Sequence, residues 1–117
     1  MAKKPKSPTP GHPVRGSTTG KPIMVLLDLL GQRWALRILW ELRDAPLTFR
    51  ALQEACDGVS PSVLNSRLKS LKEARFVAAT SDGYALTPLG KELQEEFGGL
   101  YKWSEKWAAS LAKNVSD

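Results

Sequence analysis

Between Thr48 and Thr87 the chain reads TFRALQEACDGVSPSVLNSRLKSLKEARFVAATSDGYALT, and the run Asp57-Gly58-Val59-Ser60-Pro61 inside it constrains the fold most. Asp-Gly is turn chemistry, because glycine takes the backbone where a side chain would clash. Ser60-Pro61 then opens a helix: serine supplies a capping oxygen, and proline sits where its missing N–H leaves nothing unsatisfied. Upstream, Thr48 can cap a helix in which Phe49, Leu52 and Cys56 recur at i, i+3 and i+7 as one inward face. Two short helices joined by a tight turn make a helix-turn-helix, whose second helix lies in the major groove of DNA. Phe76–Thr80, the tip Ser81-Asp82-Gly83 and Tyr84–Thr87 follow as a hairpin, which gives the winged version of that motif.

The second helix, about Ser60–Ala74, divides its faces. Leu64, Leu68 and Leu71, at i, i+4 and i+7, form one apolar stripe. At about 100° per residue the opposite side carries Ser62, Ser66, Lys69 and Ser70, with Asn65 on a flank. Small hydroxyls, an amide and a lysine can approach base edges and phosphates without steric conflict. An ordinary amphipathic surface helix would show the same residues, so the turn before it and the hairpin after it carry much of the weight. The expected DNA contacts are Ser60, Ser62, Asn65, Ser66, Arg67, Lys69 and Lys72. Wings usually reach the backbone with basic side chains, but Asp82 stands at this tip, and an acid there repels phosphate.

The charge is unevenly placed. The chain has 17 Lys plus Arg against 12 Asp plus Glu, for a net charge of +5. Five of the basic residues, Lys3, Lys4, Lys6, Arg15 and Lys21, lie within residues 1–21, where there is no acid, so the remainder is formally neutral. That segment is rich in Pro and Gly, cannot form a packed core, and is expected to be a disordered basic arm. Lys3, Lys4, Lys6 and Arg15 would follow phosphates or enter a minor groove, unless the arm only solubilises the domain. It has neither the apolar run of a signal peptide nor an Arg-rich amphipathic helix.

Residues 22–113 are expected to form one small domain, with a tail at 114–117. No apolar run approaches the roughly 20 residues of a membrane span. Cys56 is the only cysteine, which points to a reducing cytoplasm and to a small core residue rather than a redox group. Ile23–Leu30 reads as an apolar helix, and a second runs from about Gln32 to Arg43. Trp34, Ala35, Ile38, Leu39 and Leu42 cover its inward face, while Leu36 and Trp40 form another patch on its far side. Thr87-Pro88 opens a last helix on which Leu89, Leu93, Phe97, Leu100, Trp103, Trp107 and Leu111 fall within about a 120° arc. So long a stripe exceeds what one small chain can cover, and it is expected to pair with a second copy unless it folds back on Ile23–Leu30.

Several blocks then stand in a familiar order and spacing. Leu30-Gly31-Gln32-Arg33-Trp34 is followed by Ile38-Leu39-Trp40-Glu41-Leu42. Pro46 comes next with Phe49 and Leu52, then Ser60-Pro61-Ser62-Val63-Leu64-Asn65-Ser66-Arg67-Leu68-Lys69 and Tyr84-Ala85-Leu86-Thr87-Pro88-Leu89-Gly90. Over roughly residues 22 to 107 the chain resembles the HxlR-type winged-helix transcriptional regulators of bacteria and archaea. The resemblance implies a mostly α fold with a small β-hairpin and a DNA-binding homodimer. Its N- and C-terminal helices would form the interface through Ile23, Leu26, Leu93, Phe97, Leu100, Trp103 and Trp107. It implies that Arg67 contacts phosphate or braces the motif. Many relatives carry a cysteine before the proline near the start, and some sense oxidants with it; here Lys21 stands there. Many also have a longer, basic wing.

Enzymatic chemistry finds no footing. His12 is the only histidine and lies in the arm, so no nucleophile has an ordered base, and one Cys with one His makes no metal site. No cofactor is expected. The partners expected are double-stranded DNA and a second copy, with a small-molecule effector near Trp34, Trp40, Trp103 and Trp107 conceivable. The competing reading is a winged-helix protein-interaction module without sequence-specific DNA binding. It draws on the neutral domain and the acidic wing tip, and it is opposed by a recognition face with no apolar group for a protein to bury.

Overall fold

The computed structural model describes residues 8–14 and 18–115. Five helices and one hairpin follow in the order α1 (Pro22–Leu30), α2 (Ala35–Glu41), α3 (Phe49–Ala55), α4 (Pro61–Glu73), β1 (Val77–Thr80), β2 (Gly83–Leu86) and α5 (Pro88–Val115). The mostly helical winged fold expected from the sequence is the fold observed.

Local chemistry sets most boundaries. The Thr48 hydroxyl accepts from the Ala51 N–H at 3.1 Å, and the Ser60 hydroxyl accepts from the Val63 N–H at 3.2 Å, so both helices of the motif are capped as their sequences indicate. Gly58, between them, has φ of +96°, the conformation that the turn needs from a glycine. The second helix begins later than expected, at Ala35 rather than Gln32. Trp34 holds φ at +76°, which cannot continue a right-handed helix, and the Ala35 N–H donates to the Gln32 carbonyl across the turn.

The core is one cluster, with Leu30, Ile38, Leu39, Leu42, Leu52, Cys56, Val59, Leu64, Leu68, Leu71, Val77 and Leu86 all buried. It joins α2, α3 and α4 beneath the hairpin. Full burial of side chains such as Leu64 and Leu68 stabilises by about 1.5–3 kcal/mol each. Burial drives the Cys56 thiol above its ordinary pKa, with Glu41 adding to the rise and Arg37 opposing it. Cys56 is thus a neutral core side chain.

The hairpin pairs Val77 with Leu86 and Thr80 with Gly83, antiparallel. The end of β2 nearest the tip is tied to the loop before α3. The Leu47 and Tyr84 backbones exchange hydrogen bonds at 2.9 and 2.7 Å, an isolated bridge that extends the sheet by one residue. A Cβ on Gly83 would lie 2.4 Å from the Leu47 carbonyl oxygen, so only glycine admits this approach.

Thr87 joins the wing to α5. Its hydroxyl donates to the Arg75 carbonyl at 2.6 Å and accepts from the Gly90 N–H at 3.0 Å. From Gly98 to Lys113 every α5 residue is exposed, and the helix runs about 42 Å at 1.5 Å per residue. Before α1, Pro8, Thr9 and Pro10 line a cleft with Pro22, Val25, Leu26 and Phe76, and the Gly11 N–H donates to the Gly20 carbonyl at 3.0 Å. Part of the proline-rich segment therefore lies against the domain, whereas Lys3, Lys4, Lys6 and Arg15 lie outside the described residues.

Candidate DNA interface

The turn through Gly58 and Val59 sets α4 across α3, and burial fixes how α4 is rotated. Leu64, Leu68 and Leu71 are at most 1% exposed, so the helix cannot turn about its axis without exposing them. The side facing away from the core then follows from the helical repeat. Ser60, Ser62, Asn65, Ser66, Lys69 and Lys72 are all exposed. Ser62, Asn65, Ser66, Lys69 and Lys72 lie along one continuous side of α4, short polar side chains toward its N-terminal half and lysines toward its C-terminal half, while Ser60 caps the start of the helix. Amides and hydroxyls there can meet base edges, and lysines can meet phosphates or guanine acceptors.

Arg67 is placed differently from these six. Its Nε donates to the Arg33 carbonyl at 2.7 Å, and an Nη donates to the Ser66 hydroxyl at 3.5 Å. The guanidinium thus ties α4 to the turn between α1 and α2, and Arg67 is half-buried. A second tie, which periodicity alone does not signal, comes from Arg37. Its Nη2 donates to the Ala55 carbonyl at 2.8 Å, at the end of α3, while its Nε pairs with Glu41 at 3.2 Å. Both arginines brace the motif: Arg37 reaches from α2 to the end of α3, and Arg67 reaches from α4 to the turn before α2.

At the wing tip the Thr80 hydroxyl accepts from the Asp82 N–H at 3.2 Å and donates to the Gly83 carbonyl at 2.9 Å. The turn is therefore closed upon itself, and Asp82 is exposed.

The expected association surface is spread over two helices. Ile23 is 58% exposed, but its exposed companion is Leu27, one turn on at i+4, rather than the expected Leu26, which is partly buried against the core. Leu93 and Phe97 also pack partly on the core, whereas Leu100, Trp103 and Trp107 are more than half exposed. The aromatic cluster forms around α2 with a different member than expected. Trp40 stacks on Tyr101 with ring centroids 5.4 Å apart, and the Arg43 guanidinium lies 3.9 Å from the Trp40 ring centre. Trp34 is instead half-buried against the core.

A family model described as HxlR-like helix-turn-helix matches residues 29–112. The chain belongs to this family. An uncharacterised HTH-type transcriptional regulator of Methanocaldococcus jannaschii is 28% identical over 88 residues, covering 72% of this chain and 83% of that protein. The quinone-bound structure of YodB from B. subtilis is similar with a TM-score of 0.68 at 31% identity, over 72% of this chain and 96% of that one. A MarR-family regulator structure from Enterococcus faecalis reaches a TM-score of 0.70 at 25% identity, over 84% of this chain and 98% of the other. HxlR-like proteins are DNA-binding transcriptional regulators and not enzymes. Among the described residues no helix is long and apolar enough to cross a membrane.

Proposed function

We propose that this protein regulates transcription as a homodimer that reads a specific DNA sequence, with α4 of each subunit in the major groove. The observation that carries the reading is the division of α4. Its leucine face is locked into the core, and Asn65 and Lys69 project from an exposed polar side. Asn can bond an adenine edge twice, and Lys can donate to guanine acceptors. Ser62 and Ser66 are short enough to let the helix backbone approach, and Ser60 and Lys72 lie toward the flanking phosphates. Arg67 acts chiefly on the position of α4, because its guanidinium is already engaged by the Arg33 carbonyl. Two such helices in a twofold dimer address successive major grooves about 34–36 Å apart, so the site is a near-palindrome.

Selection on random duplexes tests this. Asn65→Ala is expected to cost roughly 1–3 kcal/mol on the preferred site and to relax preference at one symmetric position in each half. Lys69→Ala is expected to relax another. If the unaltered protein enriches no sequence, or both variants enrich an unchanged motif, the readout face is wrong. The exposed Asp82 at the wing tip favours the second reading in that event, a winged helix that binds protein rather than a specific duplex.

A further inference from the structure

The cleft that receives the proline-rich segment lies where α1 passes the end of α4. Pro8, Thr9 and Pro10 line it with Val25 and Leu26 of α1, with Phe76, and with Leu89 at the start of α5. Ala74 and Arg75, just past the end of α4, form part of its border. We propose that residues 8–20 are a docked strap which, together with Arg75, presents the basic tip of the chain to the DNA backbone beside α4. This patch takes the place of a basic wing, since Val77–Leu86 holds no Lys or Arg. The inference rests on the reading of α4 as the DNA-binding helix and adds a sequence-independent contact to it.

The strap is held at both ends. Pro8 and Thr9 are half-buried in the cleft, and the His12 N–H donates to the Thr9 carbonyl at 3.1 Å. Gly20 is buried, and its carbonyl accepts from the Gly11 N–H at 3.0 Å, which closes the loop. Its φ is +70°, and a Cβ there would run into the His12 backbone, so only glycine permits the closure. Proline has a fixed φ, so seating Pro8 and Pro10 orders less chain than other residues would. A tail that only solubilised the domain would need neither the buried glycine nor the seated prolines.

Arg75 is the second, independent observation. The Phe76 N–H donates to the Leu71 carbonyl at 3.0 Å and the Arg75 N–H to the Lys72 carbonyl at 2.9 Å, the paired bonds of a left-handed helix cap. Glycine usually fills that position, yet Arg75 holds it at φ of +68° despite its Cβ. A strained arginine where glycine would fit freely points to a use for its side chain. Arg75 is exposed and follows Lys69 and Lys72 at three-residue spacing. Glu73 also borders the cleft, so the cationic excess there comes from Arg75 and the lysines of the tip.

Chain length gives the docking a measurable effect. Lys3, Lys4 and Lys6 precede Pro8 by five, four and two residues, but precede Pro22, where α1 begins, by 19, 18 and 16. From a seated Pro8, Lys3 reaches at most about 18 Å, which confines the tip to the surroundings of the α4 end. Local concentration on a flexible tether falls roughly as the −3/2 power of its length. Releasing the strap therefore dilutes Lys4 about tenfold at the phosphates it serves.

Hydrogen exchange tests the seat. The Gly11 amide should exchange more slowly in the unaltered protein than in Gly20→Val, and equal rates would show that the strap is not docked. Affinity for one fixed duplex tests the patch. Gly20→Val should weaken binding about fivefold to tenfold and cost nothing further in protein that lacks residues 1–6. Pro8→Gly combined with Pro10→Gly, which keeps Gly20 and the charge, should act alike. Arg75→Gly should raise the melting temperature, because it relieves the left-handed arginine. It should nevertheless weaken DNA binding and flatten the slope of log affinity against log salt by about 0.9. Strap variants without effect, an effect that persists without residues 1–6, or an unchanged slope in Arg75→Gly overturns the patch. Selection with Asn65→Ala reports on α4 separately, and a changed motif there leaves the DNA reading standing. An unaltered protein that binds no duplex overturns both.

Discussion

Gly90 shows how much one hydrogen atom can decide. It is buried where α5 passes the start of the wing, and a Cβ there would lie 2.1 Å from the Phe76 carbonyl oxygen. The neighbour is backbone, so α5 itself would have to move. Gly90→Ala is expected to destabilise by about 1–3 kcal/mol, as overpacking does, measured by urea unfolding. It should also perturb the wing, because the Gly90 N–H is bound by the Thr87 hydroxyl that holds the Arg75 carbonyl. Cys56 gives a residue-scale prediction of another kind. Its pKa is raised in the folded chain by burial, so between the unfolded and folded values the unfolded state holds fewer protons. The stabilisation is complete at a pH below the ordinary thiol range and falls as the pH rises through the native value. The thiol should therefore resist alkylation in the native protein at neutral pH and react promptly in denaturant. Prompt native labelling would show that the core opens there.

The elements form because their ends are specified locally. Ser60→Ala should remove the cap on α4 and cost about 1 kcal/mol, read from thermal or chemical melts, with Thr48→Ala doing the same to α3. If Ser60 also meets phosphate, its variant should lose more DNA affinity than the Thr48 variant at equal stability. These caps, the turn at Gly58, the leucine stripe and the hairpin are all legible in the sequence, because each depends on residues within one or two helical turns. The late start of α2 is not, since no local propensity announces a left-handed Trp34, whose side chain is half-buried against the core. The bridge between Leu47 and Tyr84 is equally silent: a single pair across so long a separation leaves no alternation to detect. The same holds at the candidate interface. Helical repeat identifies which α4 side chains point outward, but the bond from Arg67 to the Arg33 carbonyl comes from the meeting of two distant segments. Leu27 is hidden in the same way, because α1 is apolar nearly all round and periodicity cannot tell its buried side from its bare one.

For the whole molecule, charge and length matter more than any single side chain. The folded part is formally neutral, so electrostatic attraction to a duplex must come from outside it or from local patches such as Lys69 and Lys72. Removal of residues 1–6, which include Lys3, Lys4 and Lys6, should leave fold and assembly intact and weaken binding to all duplexes nearly alike. For every phosphate that these lysines neutralise, the truncation should flatten the slope of log affinity against log salt by about 0.9. A truncated protein with the original slope would reduce these lysines to a solubility device.

The joint at Thr87 has a mechanical consequence. With its first turn pressed on Phe76 and hooked to Arg75, α5 is a stiff rod bolted to the reading head rather than a tether hanging from it. A lever of about 42 Å turns angle into distance, so a tilt of only about 5° between two such rods would shift a head by roughly 4 Å. That is close to the roughly 3.4 Å from one base pair to the next. In the proposed homodimer, anything that wedges or relaxes the seam between the two copies would therefore throw both heads off their half-sites while every side chain on the outer face of α4 kept its shape. In a chain with Lys21 at the place where the resemblance leads one to expect a cysteine, such leverage would let a signal act without touching the DNA-reading surface at all.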